Sequence, residues 1–360
     1  MLSLILLCRS GFEKECAAEI ASVAGEGGIA GFPRTKEGTG FLEYPLTNEH
    51  NAVELARSLD FCSLIFARQG FVTFSTITDL PEKDKLTSIM TAIKAFLAEN
   101  SGMAIPQSVL VESPDTAEIE GLKAFTTSFM HPLTRAMDNL RKGKKSDAVN
   151  RLHVFFSDYS KVFIGISRAT FSSPWACGIP RLRFPKNSPS RSTLKLDEAF
   201  SALLTPEENQ KFLAPSMKAI DLGAAPGGWT FQFVARQILV QAIDNGPMDK
   251  SLMNTGLVEH LREDGFTYRP RKPVDWMVCD MVEQPSRVAN LAALWLREEH
   301  CRHLVVNLKL PMKKRYDEVR LCLGIIANQS GHDDKLIIRC KQLYHDRDEV
   351  TCFASIGPKG

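Results

Sequence analysis

The chain has 360 residues, and its 44 basic side chains nearly balance its 42 acidic ones, which leaves a formal net charge of +2. At roughly 150 residues per domain, this length predicts two or three domains with enough chain to bury a core. Apolar residues make up 44% and charged residues 24%, which argues against collagen, wholesale disorder and a membrane bundle. The nine cysteines are scattered, with no CxxC pair, so we expect reduced thiols, a cytoplasmic protein and no structural metal.

The first half of the chain predicts a mixed α+β region. Apolar runs predict strands over residues 2–7, 64–74, 107–111, 152–157 and 162–167. Residues 158–160 join the last two as a hairpin. The run at residues 2–8 is too short for a membrane span and has no basic residues before it, so we interpret it as a strand rather than a signal peptide. Helical spacing of apolar residues predicts helices over residues 12–24, 83–98 and 117–142.

Basic charge is concentrated in residues 135–195. This segment holds 13 basic and three acidic residues and is therefore +10, which leaves -8 for the rest of the chain. An ordinary solvated linker is the alternative, but the excess persists through predicted strands and a connector. We therefore expect a surface that binds a polyanion, with Arg181, Arg183 and Lys186 as candidate contacts.

Four prolines between residues 172 and 190 mark a boundary, after which strands and helices alternate. A helix is predicted over residues 192–204, with Ser192 at its N-cap. Short apolar runs predict strands over residues 218–221, 239–244, 274–280 and 303–309. This alternation is typical of a doubly wound parallel sheet. Two further runs, 335–343 and 350–355, predict an antiparallel edge.

Charged residues end the four parallel strands: Asp221, Asp244, Asp280 and Lys309. Ligands of open α/β sheets bind beyond the carboxyl ends of the strands, so we expect these side chains to converge on one site. The alternative is that polar residues merely mark the ends of strands. That would explain one or two of these residues, but it explains all four less easily.

A glycine-rich turn, Asp-Leu-Gly-Ala-Ala-Pro-Gly-Gly-Trp, follows the first of these strands. It allows close approach of a ligand to the backbone, but its spacing is not GxGxxG. Asp244 is placed to accept hydrogen bonds from ribose hydroxyls, and Asp264 from an adenine amine. Together they indicate an adenosine-containing cofactor without a pyrophosphate. A nicotinamide-dependent oxidoreductase is the alternative enzyme, which the proline in the turn disfavours.

The same turn resembles the cofactor loop of FtsJ-like ribose 2′-O-methyltransferases. The resemblance implies S-adenosylmethionine as cofactor and a Lys-Asp-Lys-Glu set, matched here by Lys195, Asp280, Lys309 and Glu349. The implied cofactor-binding residues are Ser192, Asp221, Gly223, Ala225, Pro226, Gly227, Gly228, Asp244, Asp264 and Asp280. The alternatives are that Lys195 is an aliphatic stem beside the helix and that Glu349 is an exposed strand residue; without this pattern the alternative would be favoured for Glu349.

The strings CRSGFEKECAAEI, GIPRLRFP, LREDGF and LYHDRDEVT resemble the M-type family of bacterial 23S ribosomal RNA methyltransferases over essentially the whole chain. That resemblance implies a Rossmann-like methyltransferase domain over 191–360, after a ferredoxin-like segment over 1–60, a THUMP RNA-binding domain over 61–171 and a linker over 172–190. The implied substrate is a ribose 2′-hydroxyl of 23S ribosomal RNA, in a cytidine, before or during subunit assembly. We expect a monomer that does not bind membranes.

The chemistry requires a base, because a ribose hydroxyl is a weak acid. Lys309 is the candidate, and we expect burial and the like charge of Lys195 to lower its pKa so that it can be neutral. Asp280 and Glu349 would orient the two amines. A non-catalytic RNA-binding protein remains an alternative, which explains the basic segment but leaves the charged strand ends unexplained.

Overall fold

The chain forms two units, Met1–Pro180 and Arg181–Gly360. The structure is a computed structural model that describes residues 2–47, 50–116, 119, 121–332 and 334–357. Within these ranges, no helix combines the length and the apolar character needed to cross a bilayer.

One seven-stranded sheet with helices organises the first unit, in the order β2-β3-β1-β4-β7-β6-β5. Its elements are β1 (Ser3–Cys8), α1 (Glu13–Glu26), β2 (Arg34–Thr35), β3 (Phe41–Pro45), α2 (Ala52–Ser58), β4 (Ala67–Ile77), α3 (Lys85–Glu99), β5 (Ile105–Glu112), α4 (Leu122–Arg141), β6 (Ser146–Phe156) and β7 (Val162–Arg168). All pairs are antiparallel except β5 with β6. The predicted mixed α+β region and its β6–β7 hairpin are confirmed.

The sequence missed three short elements of this unit, β2, β3 and α2. Their few residues carry little periodicity, and α2 depends on the Asn51 side chain, which accepts hydrogen bonds from two backbone amides of the first turn. The predicted helix start at residue 117 lies outside the described residues, and α4 begins at Leu122. Strand β4 pairs with both β1 and β7, so one sheet spans residue 60. The boundary there stays a prediction.

Two basic residues of the +10 segment are used inside the first unit. The Arg151 guanidinium is buried and donates to the hydroxyl and carbonyl of Ser172 and to the carbonyl of Ser173. Arg141 donates to the carbonyl oxygens of Pro106 and Gln107. Neither guanidinium is therefore free for a polyanion. The segment has fewer basic side chains available for binding than its net charge suggests.

The second unit is the predicted doubly wound sheet, in the order β10-β9-β8-β11-β12-β14-β13. Its elements are α5 (Thr193–Leu203), α6 (Pro206–Phe212), β8 (Lys218–Leu222), α7 (Gly228–Val234), β9 (Leu239–Ile243), α8 (Lys250–Met253), β10 (Val258–Leu261), β11 (Val274–Cys279), α9 (Pro285–Arg297), β12 (Cys301–Lys309), α10 (Arg315–Gln329), β13 (Leu336–Lys341) and β14 (Glu349–Ile356). Strands β8 to β12 run parallel, and the strand order reverses between β8 and β11. That reversal is where doubly wound sheets bind ligands.

The last two strands form the predicted antiparallel edge of the sheet. Strand β14 lies between β12 and β13 and runs antiparallel to both, so β13 is the outer strand at this end. Seven of its eight residues are buried, and an interior position satisfies their backbone groups on both sides. The register places Glu349, the first residue of β14, opposite Lys309, the last residue of β12.

Candidate active site

Two lysines and two carboxylates form a ring at the carboxyl edge of the second sheet. The Lys309 amine lies 2.7 Å from Asp280 Oδ1, and the Lys195 amine lies 3.4 Å from Asp280 Oδ2. Both amines also contact Glu349. The four side chains are between 7% and 24% exposed, so the ring is largely shielded from water. The predicted set is brought together in full.

Sheet topology creates this ring. Strands β11 and β12 are parallel neighbours, so Asp280 and Lys309 leave the sheet at the same edge. The antiparallel β14 enters at that edge with Glu349. Helix α5 supplies Lys195 from its first turn. Glu349 is thus a buried member of the ring, rather than an exposed strand residue.

The electrostatics of Lys309 contradict the expected low pKa. Burial lowers the pKa of the Lys309 ammonium, but the charges of Asp280 and Glu349, together with the hydrogen bonds to them, outweigh burial and hold this pKa above its ordinary value. The like charge of Lys195 favours a lower pKa, but the two carboxylates in contact with the amine have the larger effect. In this arrangement Lys309 is a protonated lysine at neutral pH.

Asp280 has a third partner that the sequence argument missed. The Asn307 side chain donates from Nδ2 to Asp280 Oδ1 over 2.9 Å. Asn307 is fully buried in β12, where an amide interrupts the apolar run HLVVNLK. The sequence feature that indicates this role is a polar residue within a buried strand, because a buried polar group needs a hydrogen-bond partner.

The glycine-rich turn packs tightly against its surroundings. Gly223 and Gly227 have φ of +76° and +117°, which disfavour any residue with a side chain. A Cβ on Gly227 would lie 2.3 Å from Leu252 Cδ1, and one on Gly228 would lie 2.0 Å from Ser192 Oγ. Backbone conformation therefore favours glycine at 223 and 227, and a Cβ at 227 or 228 would require neighbouring side chains to shift.

Ser192 stands beside this turn but does not cap α5 with its side chain. Its backbone is right-handed helical, and its hydroxyl lies 3.1 Å from the hydroxyl of Ser190. The expected N-cap hydrogen bond is therefore absent. The contact with Gly228 keeps Ser192 adjacent to the predicted cofactor loop.

Asp244 and Asp264 lie after β9 and β10 and are already engaged by backbone amides. Asp244 accepts from the amides of Ala225 over 2.9 Å and Gly246 over 2.7 Å. Asp264 is exposed and accepts from the amide of Phe266 through Oδ1. Each carboxylate oxygen has two lone pairs, so both side chains keep acceptor capacity for a ligand.

Asp221 is the one fully buried carboxyl of the turn. Burial raises its pKa to about 7, and the nearby Asp280 and Asp244 charges add to this, against the hydrogen bond that the Thr230 hydroxyl donates over 2.6 Å. Asp221 is therefore a buried group at the start of the turn that is held by the Thr230 hydroxyl.

The acceptors at this edge suit one class of ligand. Asp221 begins the turn, Asp244, Asp264 and Asp280 follow strands β9, β10 and β11, and residues 221–229 contain no lysine or arginine. Carboxylates favour a cation and accept from hydroxyl and amine donors, whereas they repel a pyrophosphate. These residues therefore fit S-adenosylmethionine, a sulfonium with an adenosine, better than a dinucleotide. Among the described residues, no cluster of three or more His, Cys, Asp or Glu is arranged to hold a metal ion.

The candidate RNA contacts lie in the connector before α5. Arg181, Arg183 and Lys186 are exposed, and the Arg181 guanidinium lies 5.7 Å from the centre of the Tyr344 ring. Their role stays a prediction.

We predict that Asp221 makes folding pH-dependent with a definite sign. The folded chain holds this proton up to about pH 7, whereas an unfolded Asp loses it near 3.8. Stability conferred by Asp221 is therefore greatest below pH 4 and declines as pH rises to about 7. In urea unfolding of the ligand-free protein, Asp221→Asn should gain stability relative to the parent between pH 4.5 and 7.5. Asp249→Asn is the control, because hydrogen bonds from Ser251 lower the pKa of Asp249 and its effect should be flat over that range. If the difference in unfolding free energy between Asp221→Asn and the parent did not change with pH, the prediction would be contradicted.

Comparisons with known proteins agree with this geometry. Residues 1–71 match the RlmM ferredoxin-like domain, residues 84–168 the N-terminal model of ribosomal RNA large subunit methyltransferase M, and residues 189–322 the FtsJ-like methyltransferase model. Proteins named ribosomal RNA large subunit methyltransferase M are similar over nearly their full length. That of Azoarcus sp. (strain BH72) is 45% identical and covers 98% of this chain and 96% of its own. That of Cellvibrio japonicus (strain Ueda107) is 44% identical and covers 99% and 100%.

Solved structures match more weakly. TrmN from Thermus thermophilus covers 99% of this chain and 100% of its own, at 14% identity and a TM-score of 0.36. A likeness at that level supports no argument about the site. The sequence relatives show the family, since they are 44% to 45% identical over 98% to 99% of this chain. The chain belongs to the ribosomal RNA large subunit methyltransferase M family.

Proposed function

We propose that this chain transfers a methyl group from S-adenosylmethionine to a ribose 2′-hydroxyl in 23S ribosomal RNA, in a cytidine. The ring of two lysines and two carboxylates beside an acceptor-lined glycine turn carries this proposal. Hydride transfer to or from a nicotinamide does not require such a ring. RNA binding alone does not require lysines and carboxylates to be buried together. Family membership supports the large-subunit RNA as substrate.

S-adenosylmethionine supplies an electrophilic methyl group on a cationic sulfonium. The protein must position the ribose hydroxyl and remove its proton as the new bond forms. In our proposal the Lys309 ammonium first gives its proton to solvent, and the neutral amine then accepts the 2′-hydroxyl proton. Asp280 and Glu349 hold that amine in place, and Lys195 remains a fixed cation that contacts the same carboxylates.

The domain roles follow from the same proposal. Residues 1–60 form the ferredoxin-like segment, 61–171 the THUMP domain that binds RNA, 172–190 the linker and 191–360 the methyltransferase domain. The enzyme works as a cytoplasmic monomer on ribosomal RNA, before or during subunit assembly.

The cofactor assignment predicts selective binding. Calorimetry should detect binding of S-adenosylmethionine or its demethylated product, and Asp244→Ala should weaken it, because Asp244 holds both Ala225 and Gly246 and offers acceptors to the ribose. Asp249→Ala is a matched control on the next helix, where the carboxylate caps α8. Preferential binding of NAD would contradict the assignment.

The base assignment predicts that Lys309 affects chemistry far more than binding. Lys309→Ala should retain cofactor and RNA binding but lose single-turnover methyl transfer by about 10² to 10⁴-fold, the usual contribution of general-base catalysis. Lys309→Arg should fail as well, because a guanidinium stays protonated. Since the pKa of Lys309 is raised, the parental rate should rise about tenfold per pH unit from pH 7 to 10.

An exposed lysine, Lys211, serves as control, and its replacement by alanine should leave both rate and pH profile unchanged. Near-parental transfer by Lys309→Arg would make Lys309 a fixed positive charge rather than the base. A rate that stops rising near pH 8 would show that another group controls the profile.

The connector should contact RNA phosphates. Replacing Arg181, Arg183 and Lys186 together by alanine should weaken RNA binding and flatten the plot of log affinity against log salt by roughly 0.7 to 0.9 units per lost contact. Cofactor binding should be unchanged. The matched control replaces Lys211, Lys218 and Lys335, three exposed lysines near the amino ends of the sheet strands. An unchanged slope in the connector variant would make residues 181–186 an ordinary solvated linker.

A further inference from the structure

Two apolar side chains that follow ring residues are almost fully exposed. Val282 is 89% exposed and Met312 is 92% exposed, more than any other large apolar side chain of the described residues. Val282 lies two residues after Asp280, and Met312 lies three residues after Lys309. Single exposed apolar residues are ordinary, but two extreme cases that both follow ring residues need an explanation.

The loop that carries Met312 is anchored on both sides of this residue. The Leu310 amide donates to the carbonyl oxygen of Asp348 over 2.7 Å. Arg315 donates to the carbonyl oxygen of Pro311 over 3.3 Å and pairs with the Asp348 carboxylate over 3.6 Å. The exposure of Met312 is therefore a consequence of how the fold holds this loop.

The two neighbours of Val282 in the chain are engaged by the fold. Met281 packs against Gly223 of the glycine-rich turn, where an added Cβ would meet its side chain. Glu283 forms an ion pair with Arg287 of α9. The exposed Val282 thus stands between two residues whose side chains have partners inside the unit.

The reaction brings a nucleotide within reach of both apolar side chains. Methyl transfer requires a ribose hydroxyl beside Lys309, and the base of that nucleotide is bonded to the same ribose. Three residues of chain span at most about 11 Å and two at most about 7 Å, so Met312 and Val282 lie within one nucleotide of the ring. Unpaired RNA nucleotides expose the apolar faces of their bases, which an exposed methionine or valine can cover.

The charges of the Met312 loop suit RNA. Lys313 and Lys314 follow Met312 directly and are exposed. Asp348, the acid that anchors this loop, is paired with Arg315. An apolar side chain beside exposed lysines fits a base and its flanking phosphates. Protein interfaces are depleted in lysine, so a protein partner fits this surface less well.

We propose that Val282 and Met312 hold the base of the target nucleotide by apolar contact, while Lys313 and Lys314 bind the phosphates beside it. The proposal rests on the function proposed above and names the residues that hold the substrate base. Apolar side chains cover the face of a base and do not read its hydrogen-bonding edge. The contact therefore positions the nucleotide without selecting its identity.

The kinetic test compares truncated variants with variants of matched size. Met312→Ala and Val282→Ala should each lower kcat/KM for an unmodified 23S ribosomal RNA transcript by about tenfold, because the apolar area that the base covers is lost. Met312→Leu and Val282→Ile keep that area and should stay within about twofold of the parent. Binding of S-adenosylmethionine and the midpoint of urea unfolding should be parental in all four variants, because exposed side chains contribute little to folding.

Leu239→Ala is the matched control. Leu239 is 41% exposed and is the first residue of β9, so it lies at the amino ends of the parallel strands, opposite the ring. Its replacement should leave kcat/KM at the parental value. Parental kcat/KM for both Met312→Ala and Val282→Ala would overturn the proposal. Damage by Met312→Leu equal to that by Met312→Ala would also overturn it, because leucine keeps the apolar contact.

The salt dependence of RNA binding separates the two kinds of contact. Replacing Lys313 and Lys314 together by alanine should flatten the plot of log affinity against log salt by roughly 0.7 to 0.9 units per lost contact. Met312→Ala should weaken binding at every salt concentration and leave the slope unchanged, because it removes no charge. An unchanged slope in the double lysine variant would overturn the assignment of the phosphate contacts.

A cross-linking measurement needs no activity. The photoreactive amino acid p-benzoylphenylalanine at position 312 should cross-link the same transcript at an unpaired nucleotide, and this nucleotide should be the one that the parent methylates. The same amino acid at position 239 is the control. If the parent failed to methylate the transcript, the proposed function would fall, while a single cross-linked nucleotide at position 312 would still support the base contact.

Two results of this experiment would overturn the base contact, whatever the kinetic result. One is cross-linking from position 312 that is no stronger than cross-linking from position 239. The other is a cross-link from position 312 to a nucleotide remote from the methylated one.

Discussion

The pairing of two lysines with two carboxylates is the constraint on which the rest of the second unit depends. Removing an ion from water costs several kcal/mol even in a real protein, and a buried charge is tolerated only when it is paired and hydrogen-bonded. Each amine of the ring contacts both carboxylates, so the removal of one member leaves the buried charges unbalanced. The ring therefore requires the correct placement of four elements, which are the parallel strands β11 and β12, strand β14 and the first turn of α5.

The ring also sets a chemical conflict. The carboxylates that hold Lys309 in place raise its pKa, whereas a base must be neutral. In the proposed mechanism, the contacts that order Lys309 therefore oppose its conversion to a neutral base, and the rate at neutral pH reflects the small neutral fraction of Lys309. The acidic character of this edge favours a cationic cofactor for the same reason that it favours a protonated lysine.

Nearby buried carboxyl groups are stabilised in different ways because their partners differ. Glu198 accepts from the backbone amides of Tyr344 and His345 and bonds to the His345 ring over 2.6 Å, which holds the loop before Glu349. Asp221 has a threonine hydroxyl and titrates near neutrality. Both groups are buried, and they differ in the donors that hold them.

The sequence by itself determined the alternation of strands and helices, the glycine turn and the convergence of strand ends, because these depend on periodicity and on the geometry of parallel sheets. The resemblance added Lys195 and Glu349, whose local sequence has no distinctive pattern. Only the tertiary structure decided that β14 enters between β12 and β13, that the Ser192 hydroxyl turns to Ser190, and that Asn307 supports Asp280. It also reversed the expected pKa of Lys309, since a pKa depends on which charges lie within a few ångströms, and contacts between residues 195, 280, 309 and 349 exist only after the chain has folded.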